Sequence, residues 1–228
     1  MTKTLISWSS GKDSAWLVHK LRQDPNVQLG ALLTTVNESA GRVAMHAVRV
    51  ELLEAQADAL GLPLWKVFIP SPCSNEIYER AMADAVARAV AEGFSHVAFG
   101  DLFLEDVRRY REDKLAGSGL TPVFPLFGAH TKALAREMIA AGLRARLTCV
   151  DPRQLDRSFV GREFDAALLR DLPLSADPCG ERGEFHSFAY DGPMFRRPIP
   201  IESGQVVERD GFVFADLTCP AIPSASSA

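Results

Sequence analysis

The sequence has 228 residues, of which 47% are hydrophobic, and these values fit a folded globular protein with one large domain or a domain and a smaller lobe. Its formal net charge of -4 argues against a nucleic-acid partner, although a local basic patch could still hold RNA. No apolar run approaches the roughly 18 residues of a membrane span, so no membrane partner is expected. The 4 cysteines are widely spaced without a C-x-x-C pair, which argues against zinc or a disulfide framework. Because no signal-peptide pattern is present either, we expect a cytoplasmic protein.

The first predicted element is a buried strand that runs into a loop of small residues and then into a helix. Apolar residues around Leu5 precede the segment Ser-Ser-Gly-Lys-Asp-Ser at residues 9–14, and an apolar stripe at helical spacing follows. A helix N-terminus has unpaired N–H groups and partial positive charge, and small residues let its backbone approach an anion. We therefore predict a phosphate site. Its predicted residues are Ser7, Ser9, Ser10, Gly11, Lys12, Asp13 and Ser14.

This loop differs from the common nucleotide P-loop. That motif needs a glycine five residues before its Gly-Lys pair and a Ser or Thr after the lysine, whereas Ile6 and Asp13 occupy those positions here. The segment instead resembles the pyrophosphate loop, Ser-Gly-Gly-x-Asp-Ser, of the adenine-nucleotide alpha-hydrolase superfamily, with Ser10 replacing the first glycine. The simpler alternative is an ordinary strand–helix turn that is capped by Ser10 or Asp13.

Strands and helices then alternate along the chain. Further strands are predicted at residues 27–36, 64–69, 96–100, 121–128 and 144–150, and helices at residues 45–60, 76–91, 102–111 and 131–141. This alternation predicts an α/β fold with a parallel, doubly wound sheet, which binds ligands at the carboxyl ends of its strands. Helical spacing over residues 154–172, interrupted by Gly161, and strands at residues 190–197 and 205–217 predict a small terminal subdomain.

Polar residues follow two of the predicted strands. Thr34 and Thr35 end the second strand, and Gly100 and Asp101 follow the fourth. Because these strand ends and the phosphate loop should meet in one crevice, we predict a nucleotide site there, with Asp101 helping to hold magnesium. The alternatives are simple strand propensity for the threonines and a helix cap for Asp101.

The helix predicted after Asp101 carries three arginines among acidic residues, namely Arg108, Arg109 and Arg111. One interpretation is a solvated helix with ion pairs at i,i+4 spacing. The other is a mobile arm that brings arginines to the phosphates, with a hinge at residues 117–119. The sequence leaves both open.

A second dense polar segment lies at residues 177–188. It contains Gly180, Glu181, Gly183, Glu184 and His186. The two carboxylates beside a histidine could bind metal, position ammonia or hold a cationic substrate, and the glycines would permit a tight backbone. The alternative is a hairpin turn whose polar residues face water.

Several motifs together resemble the diphthine–ammonia ligase family of pyrophosphate-loop ATPases. The similar segments are the loop at residues 9–14, the stretch from His46 to Leu64 that ends in Gln-Ala-Asp-Ala-Leu-Gly-Leu-Pro-Leu, Gly100-Asp101, the signature Cys-Gly-Glu-Arg-Gly-Glu-Phe-His-Ser at residues 179–187, and Asp-Gly-Pro-Met-Phe at residues 191–195. Order and spacing hold over nearly the whole chain.

The resemblance implies a fold and an activity. It implies an ATP-binding sheet of the HUP-like type at residues 1–141 and a smaller α+β substrate domain at residues 142–228. The reaction would be adenylation of a carboxylate by ATP with Mg2+, followed by attack of ammonia. The acceptor would be diphthine, a modified histidine on a protein, although the residues themselves do not identify it, and a homodimer stays open.

The resemblance also implies roles for individual residues. The catalytic residues would be Lys12, Asp101, Glu181 and Glu184, and the substrate-binding residues would be Gly180, Glu181, Gly183, Glu184 and His186. Two other functions compete with this hypothesis. One is a pyrophosphate-loop enzyme that modifies tRNA, for which catalytic cysteine pairs and a basic face would be expected. The other is a sensor that binds ATP or AMP without turnover.

Overall fold

The computed structural model describes residues 1–38, 41–43 and 48–220. The helices of this part are α1 (Lys12–Leu21), α2 (Val50–Leu60), α3 (Asn75–Ala91), α4 (Glu105–Leu115), α5 (Thr131–Ala140) and α6 (Ala166–Asp171), with a short 3-10 helix at Arg157–Phe159. The strands are β1 (Thr2–Ser7), β2 (Val27–Asn37), β3 (Arg42–Val43), β4 (Leu64–Ile69), β5 (His96–Ala98), β6 (Thr121–Val123), β7 (Arg144–Val150), β8 (Phe185–Asp191), β9 (Glu202–Arg209) and β10 (Phe212–Thr218).

The first half of the chain forms a sheet in which five strands are parallel. Their order is β4-β2-β1-β5-β6, and the short β3 adds an antiparallel pair to the end of β2. Successive side chains of β1 alternate between two layers: Leu5 packs into the apolar cluster on one face of the sheet and Ile6 into the cluster on the other. Both faces are therefore covered, as a parallel sheet requires. The predicted α/β fold with a smaller C-terminal domain is confirmed.

The second half forms an antiparallel sheet with the order β8-β7-β10-β9. The helical spacing at residues 154–172 is interrupted at Gly161, as predicted, because the backbone turns there at a φ of +77° between the 3-10 helix and α6. One prediction in this half was wrong. The strand predicted at residues 190–197 lies instead at Phe185–Asp191, because Gly192 ends it at a φ of +147°. The segment 205–217 is a hairpin of β9 and β10 that turns at Asp210 and Gly211.

Two predicted helix starts were also wrong. The second helix begins at Val50, since Val48 and Arg49 are not helical, while Met45, where the helix was predicted to begin, and His46 of the family stretch lie outside the described residues. The helix predicted from Leu102 begins at Glu105, with Leu104 as its N-cap, so Asp101 is not a helix cap. None of the helices within the described ranges is long and apolar enough to cross a membrane.

The two sheets share one hydrophobic core. Its largest cluster joins Ile6 and Trp16 of the first half to Phe188 and Met194 of the second. The backbone also connects the halves directly, since the N–H of Ala189 in β8 donates to the Ser10 carbonyl at 3.0 Å. The C-terminal sheet is therefore packed against the phosphate loop as part of the folded core.

Candidate functional site

A cavity of about 240 Å³ lies where the carboxyl ends of β1 and β5 meet the segment that precedes β8. The predicted residues that line it are Ser7, Ser9, Gly11, Lys12, Asp13, Ser14, Gly100, Asp101, Gly180, Glu181, Gly183 and His186. Residues that the sequence analysis did not assign to the site also line it, and these are Phe99, Arg111, Cys179, Phe185 and Ser187. The phosphate loop and the C-terminal signature thus meet in one space.

The phosphate loop directs the N-terminus of α1 at this cavity. Gly11 is the N-cap and has no side chain that could cap the helix, so neither Ser10 nor Asp13 is the cap; the Gly11 N–H donates to the Ser9 hydroxyl at 3.4 Å. The Ser14 hydroxyl donates to the Gly11 carbonyl at 3.0 Å, and the Ser9 hydroxyl donates to Ser14 at 3.2 Å. These bonds shape the loop, and the first N–H groups of α1 carry the partial positive charge that attracts an anion.

Gly100, which follows β5, allows the chain to pass directly against the N-terminus of α1. A Cβ atom at Gly100 would lie 3.3 Å from the Asp13 carbonyl carbon and 3.3 Å from the Ser14 nitrogen, both of them backbone atoms. Such contacts are tighter than ordinary van der Waals distance, so a larger residue would push the first turn of α1 out of place. The glycine therefore permits the close approach that forms one wall of the cavity.

Lys12 is the buried cation of the site, with only 2% of its side chain exposed. Its ammonium donates to Asp13 at 2.8 Å and also to the Cys179 carbonyl. Burial by itself lowers the pKa of Lys12, but Asp13 and the other acidic neighbours outweigh it, so the pKa lies above its ordinary value. Burial raises the pKa of Asp13, although the positive charge of Lys12 lowers it in part. The ammonium is therefore charged and joins the two halves of the chain.

Asp101 and Arg111 form a bidentate ion pair at the cavity wall, with nitrogen–oxygen distances of 2.7 and 3.0 Å. The Arg111 guanidinium also lies 4.4 Å above the Phe99 ring. Arg108 pairs instead with Glu112 at 2.9 Å on the exposed face of α4, at the i,i+4 spacing of a solvated helix. Of the three arginines considered in the sequence, only Arg111 lines the cavity.

The two glutamates of the signature lie in different environments. Glu181 lines the cavity and accepts the Leu102 N–H at 2.7 Å. Burial raises its pKa to about 7, and Asp13 and Asp101 add to the shift. Glu184 is 1% exposed, and its two oxygens accept the N–H groups of Asp177 at 2.7 Å and Arg182 at 3.0 Å. It does not line the cavity but ties the signature loop together.

Three further side chains of the signature segment line the cavity. Burial and the nearby Lys12 lower the pKa of His186 to about 4, so its imidazole is neutral near pH 7. Burial raises the pKa of the Cys179 thiol, which is therefore not a thiolate under these conditions. The Ser187 hydroxyl accepts the backbone N–H of Lys12 at 3.2 Å. The signature thus reaches the first turn of α1 directly.

Besides Glu184, three predicted residues do not line the cavity. The hydroxyl of the buried Thr34 donates to the Trp8 carbonyl at 2.8 Å, so it supports the loop from behind. Thr35 is half-buried on the same strand, and Ser10 is a fully buried residue of the loop. Within the described part of the chain, no group of three or more His, Cys, Asp or Glu side chains is arranged to hold a metal ion.

The residues that were not assigned to the site from the sequence differ in how far the sequence could have indicated them. Phe99 lies in an apolar run and looks like an ordinary core residue, whereas Phe185 lies between Glu184 and His186 inside the signature. Ser187 and Cys179 belong to the signature, so a closer reading of that motif could have included them. Arg111 was considered, but the sequence offered no means of separating it from Arg108.

Two protein-family models match the chain. Residues 2–121 match the sequence model of the diphthamide synthase N-terminal domain, and residues 130–215 match that of the diphthamide synthase C-terminal domain. Similar proteins named diphthine–ammonia ligase include that of Homo sapiens, 27% identical over 192 residues that cover 76% of this chain and 68% of the relative. The Mus musculus protein is 26% identical over 239 residues, covering 91% and 85%, and the Danio rerio protein is 28% identical over 176 residues, covering 70% and 68%.

Proposed function

The chain belongs to the diphthamide synthase family, and we propose that it is an ATP-dependent ligase that joins ammonia to a carboxylate. In the first step the carboxylate attacks the α-phosphate of ATP, which forms an acyl-adenylate and releases pyrophosphate. In the second step ammonia attacks the acyl carbon, which forms the amide and releases AMP and a proton. The activation is needed because a carboxylate does not lose hydroxide to ammonia at neutral pH.

The observation that carries this proposal is that the α1 N-terminus, Lys12 and Glu181 line one cavity. In this proposal the helix N-terminus and the Lys12 ammonium stabilise the charge that builds on the departing pyrophosphate. Lys12 suits that role because it is charged and held in place by Asp13. The 1–141 segment then supplies the ATP site, and the 142–228 segment supplies the acceptor side.

Asp101 is the carboxylate we propose for magnesium, an ion that would neutralise the phosphates and that usually keeps several waters and few protein ligands. Asp101 lines the cavity, where both of its carboxylate oxygens accept hydrogen bonds from Arg111. When ATP is bound, Arg111 itself offers a planar cation of the kind that suits phosphate oxygens. Asp101 and Arg111 thus provide opposite charges at one wall.

Glu181 is the residue we propose for the ammonia half of the reaction. Its carboxylate lies in the cavity with a pKa of about 7, so near neutral pH it is present in both protonation states. In its ionised form this carboxylate can attract ammonium, and it can take a proton as the amide forms. The neutral His186 offers a hydrogen-bonding group in the same cavity without adding charge. We propose that it helps to position the acceptor.

The relatives' name makes diphthine the first acceptor to assay. The experiment measures AMP and pyrophosphate release from ATP and Mg2+, with and without diphthine-bearing protein and ammonium chloride. Release that requires both is the expected result. If the protein binds ATP but releases neither AMP nor pyrophosphate in all of these conditions, it is a sensor and the ligase proposal is refuted. Transfer of sulfur to tRNA is disfavoured because burial raises the pKa of the cavity's one thiol, Cys179.

A further inference from the structure

The structure points to a role for Gln56, a fully buried glutamine of α2 that does not line the cavity. Its carbonyl oxygen accepts the indole N–H of Trp8 at 3.1 Å. Its amide nitrogen donates to the Ser10 carbonyl at 2.9 Å and to the Ala189 carbonyl at 2.6 Å. Both amide protons are therefore used on the backbone that flanks the phosphate loop and on β8.

Ser10 has an unusual backbone conformation, with a φ of +69°. This left-handed region suits glycine, whereas any other residue is disfavoured there by contact of its Cβ with the backbone. The Ser10 hydroxyl does not compensate, because it is buried and has no hydrogen-bond partner among the described residues. A conformation of this kind persists only where its surroundings enforce it.

The enforcing contacts are two hydrogen bonds to the Ser10 carbonyl, from Gln56 and from the N–H of Ala189. In a planar trans peptide the N–H points opposite to the carbonyl. Holding the Ser10 carbonyl toward Gln56 therefore directs the Gly11 N–H to the opposite side, where it donates to the Ser9 hydroxyl at 3.4 Å, and both Ser9 and Gly11 line the cavity. Gln56 thus sets the orientation of a peptide at the phosphate-binding end of α1.

We propose that Gln56 is a positioning residue that holds Ser10 in the left-handed conformation and so keeps the loop ready to bind the phosphates of ATP. The proposal rests on the ATP site proposed above. It predicts that without Gln56 the serine relaxes toward a negative φ and the loop loses its binding geometry. A glycine at position 10 would adopt the same φ without help, so it should remove the need for Gln56.

The test compares the Kd of ATP with Mg2+ by calorimetry for the parent, Gln56→Met, Ser10→Gly and the double variant. We expect Gln56→Met to bind ATP about tenfold more weakly, the population change that follows from the strain of one left-handed residue. Ser10→Gly supplies the reference affinity, and the double variant should bind within about threefold of Ser10→Gly. A structure or backbone chemical shifts of Gln56→Met should also show a changed φ at Ser10.

Leu53→Val is the matched control, because Leu53 is a buried residue of the same helix that belongs to the apolar cluster. It should lower the melting temperature without changing the Kd of ATP. If Gln56→Met does not fold, Gln56→Glu keeps the side-chain length but cannot donate both hydrogen bonds, and it should weaken ATP binding in the same direction.

Three results would overturn the proposal. They are an unchanged Kd in the Gln56 variants, an equal loss of affinity in the serine and glycine backgrounds, and a matching loss in Leu53→Val. Failure of the parent to bind ATP would instead refute the proposed ATP site, so the two hypotheses fail separately.

Discussion

Glu181 offers the sharpest test of the proposed chemistry, because its protonation changes near neutral pH. Burial raises its pKa to about 7, Asp13 and Asp101 add to the shift, and the Leu102 N–H and Lys12 oppose it. The Glu181→Gln variant removes the charge but keeps a carbonyl oxygen that can accept the Leu102 N–H. The variant should therefore fold with the signature loop in place.

The expected loss follows from the role of a general base. Above the pKa, where Glu181 is ionised, the parent should exceed Glu181→Gln in acceptor-dependent AMP formation by about a hundred- to ten-thousandfold. At about pH 6 roughly a tenth of Glu181 is ionised, so the advantage should shrink about tenfold there. The sign follows from the base being the deprotonated form: the contribution of Glu181 rises as pH rises through about 7. His186, with a pKa of about 4, does not titrate in this range.

The assay measures AMP by chromatography at several values between about pH 5.5 and pH 8.5, with saturating ATP, acceptor and ammonium chloride. The informative quantity is the ratio of the parent rate to the Glu181→Gln rate at each pH. Ammonium itself releases its proton as pH rises, but this changes both rates alike and cancels in the ratio. Calorimetry on the same preparations supplies the control, since ATP affinity should be nearly equal in the two proteins.

Two results would refute this reasoning. A ratio that stays constant over the whole range would mean that ionisation of Glu181 does not govern the step. A variant that loses ATP binding in parallel with AMP formation would assign Glu181 to the nucleotide and not to ammonia.

Three further variants test the rest of the site. Lys12→Ala should weaken ATP binding about ten- to a hundredfold through loss of a charge-assisted contact worth roughly 1.5–3 kcal/mol, and unchanged calorimetry would exclude the phosphate-loop assignment. Asp101→Asn should lower turnover and raise the magnesium concentration needed for half-maximal rate, whereas a parental magnesium profile would remove Asp101 from the metal. Glu184→Gln should lower unfolding free energy by about 1–3 kcal/mol, because one of the N–H groups of Asp177 and Arg182 loses its acceptor, while the Kd of ATP stays unchanged. An unaltered melting temperature would contradict that structural role.

The parallel sheet could be predicted because its signals are local. Buried apolar strands such as the one around Leu32 alternate with helices whose apolar stripes repeat at 3.6 residues. The phosphate loop was predictable for the same reason, since a strand, small residues and a helix start lie within one short segment. The antiparallel sheet was predicted less well, because its pairings join distant residues such as Cys149 and Phe214, and no local pattern reports them.

Two residues that looked equivalent in the sequence differ in where they lie relative to the ends of their strands. Thr34 and Asp101 each follow a strand of the same sheet, and both were predicted to lie in the crevice. Thr34 is still within β2 and its hydroxyl donates to the Trp8 carbonyl, so it lies behind the loop. Asp101 comes after the short β5 has ended, and its carboxylate lines the cavity with Arg111. The difference is the length of the strand, which the sequence pattern defines only approximately.

The signature shows most directly why placement needs the folded chain. Glu181 and Glu184 are three residues apart in one motif, and the sequence gives no reason to assign them different roles. Gly180 and Gly183 both adopt positive φ, +70° and +85°, so the backbone reverses between the two carboxylates. At Gly180 no larger residue would fit, because a Cβ there would lie 2.8 Å from the Phe185 carbonyl oxygen. The turn leaves Glu181 in the cavity and folds Glu184 back onto the loop's own N–H groups. Since Lys12 in turn donates to the Cys179 carbonyl beside this turn, a residue larger than glycine at position 180 should also disturb the phosphate-binding end of α1.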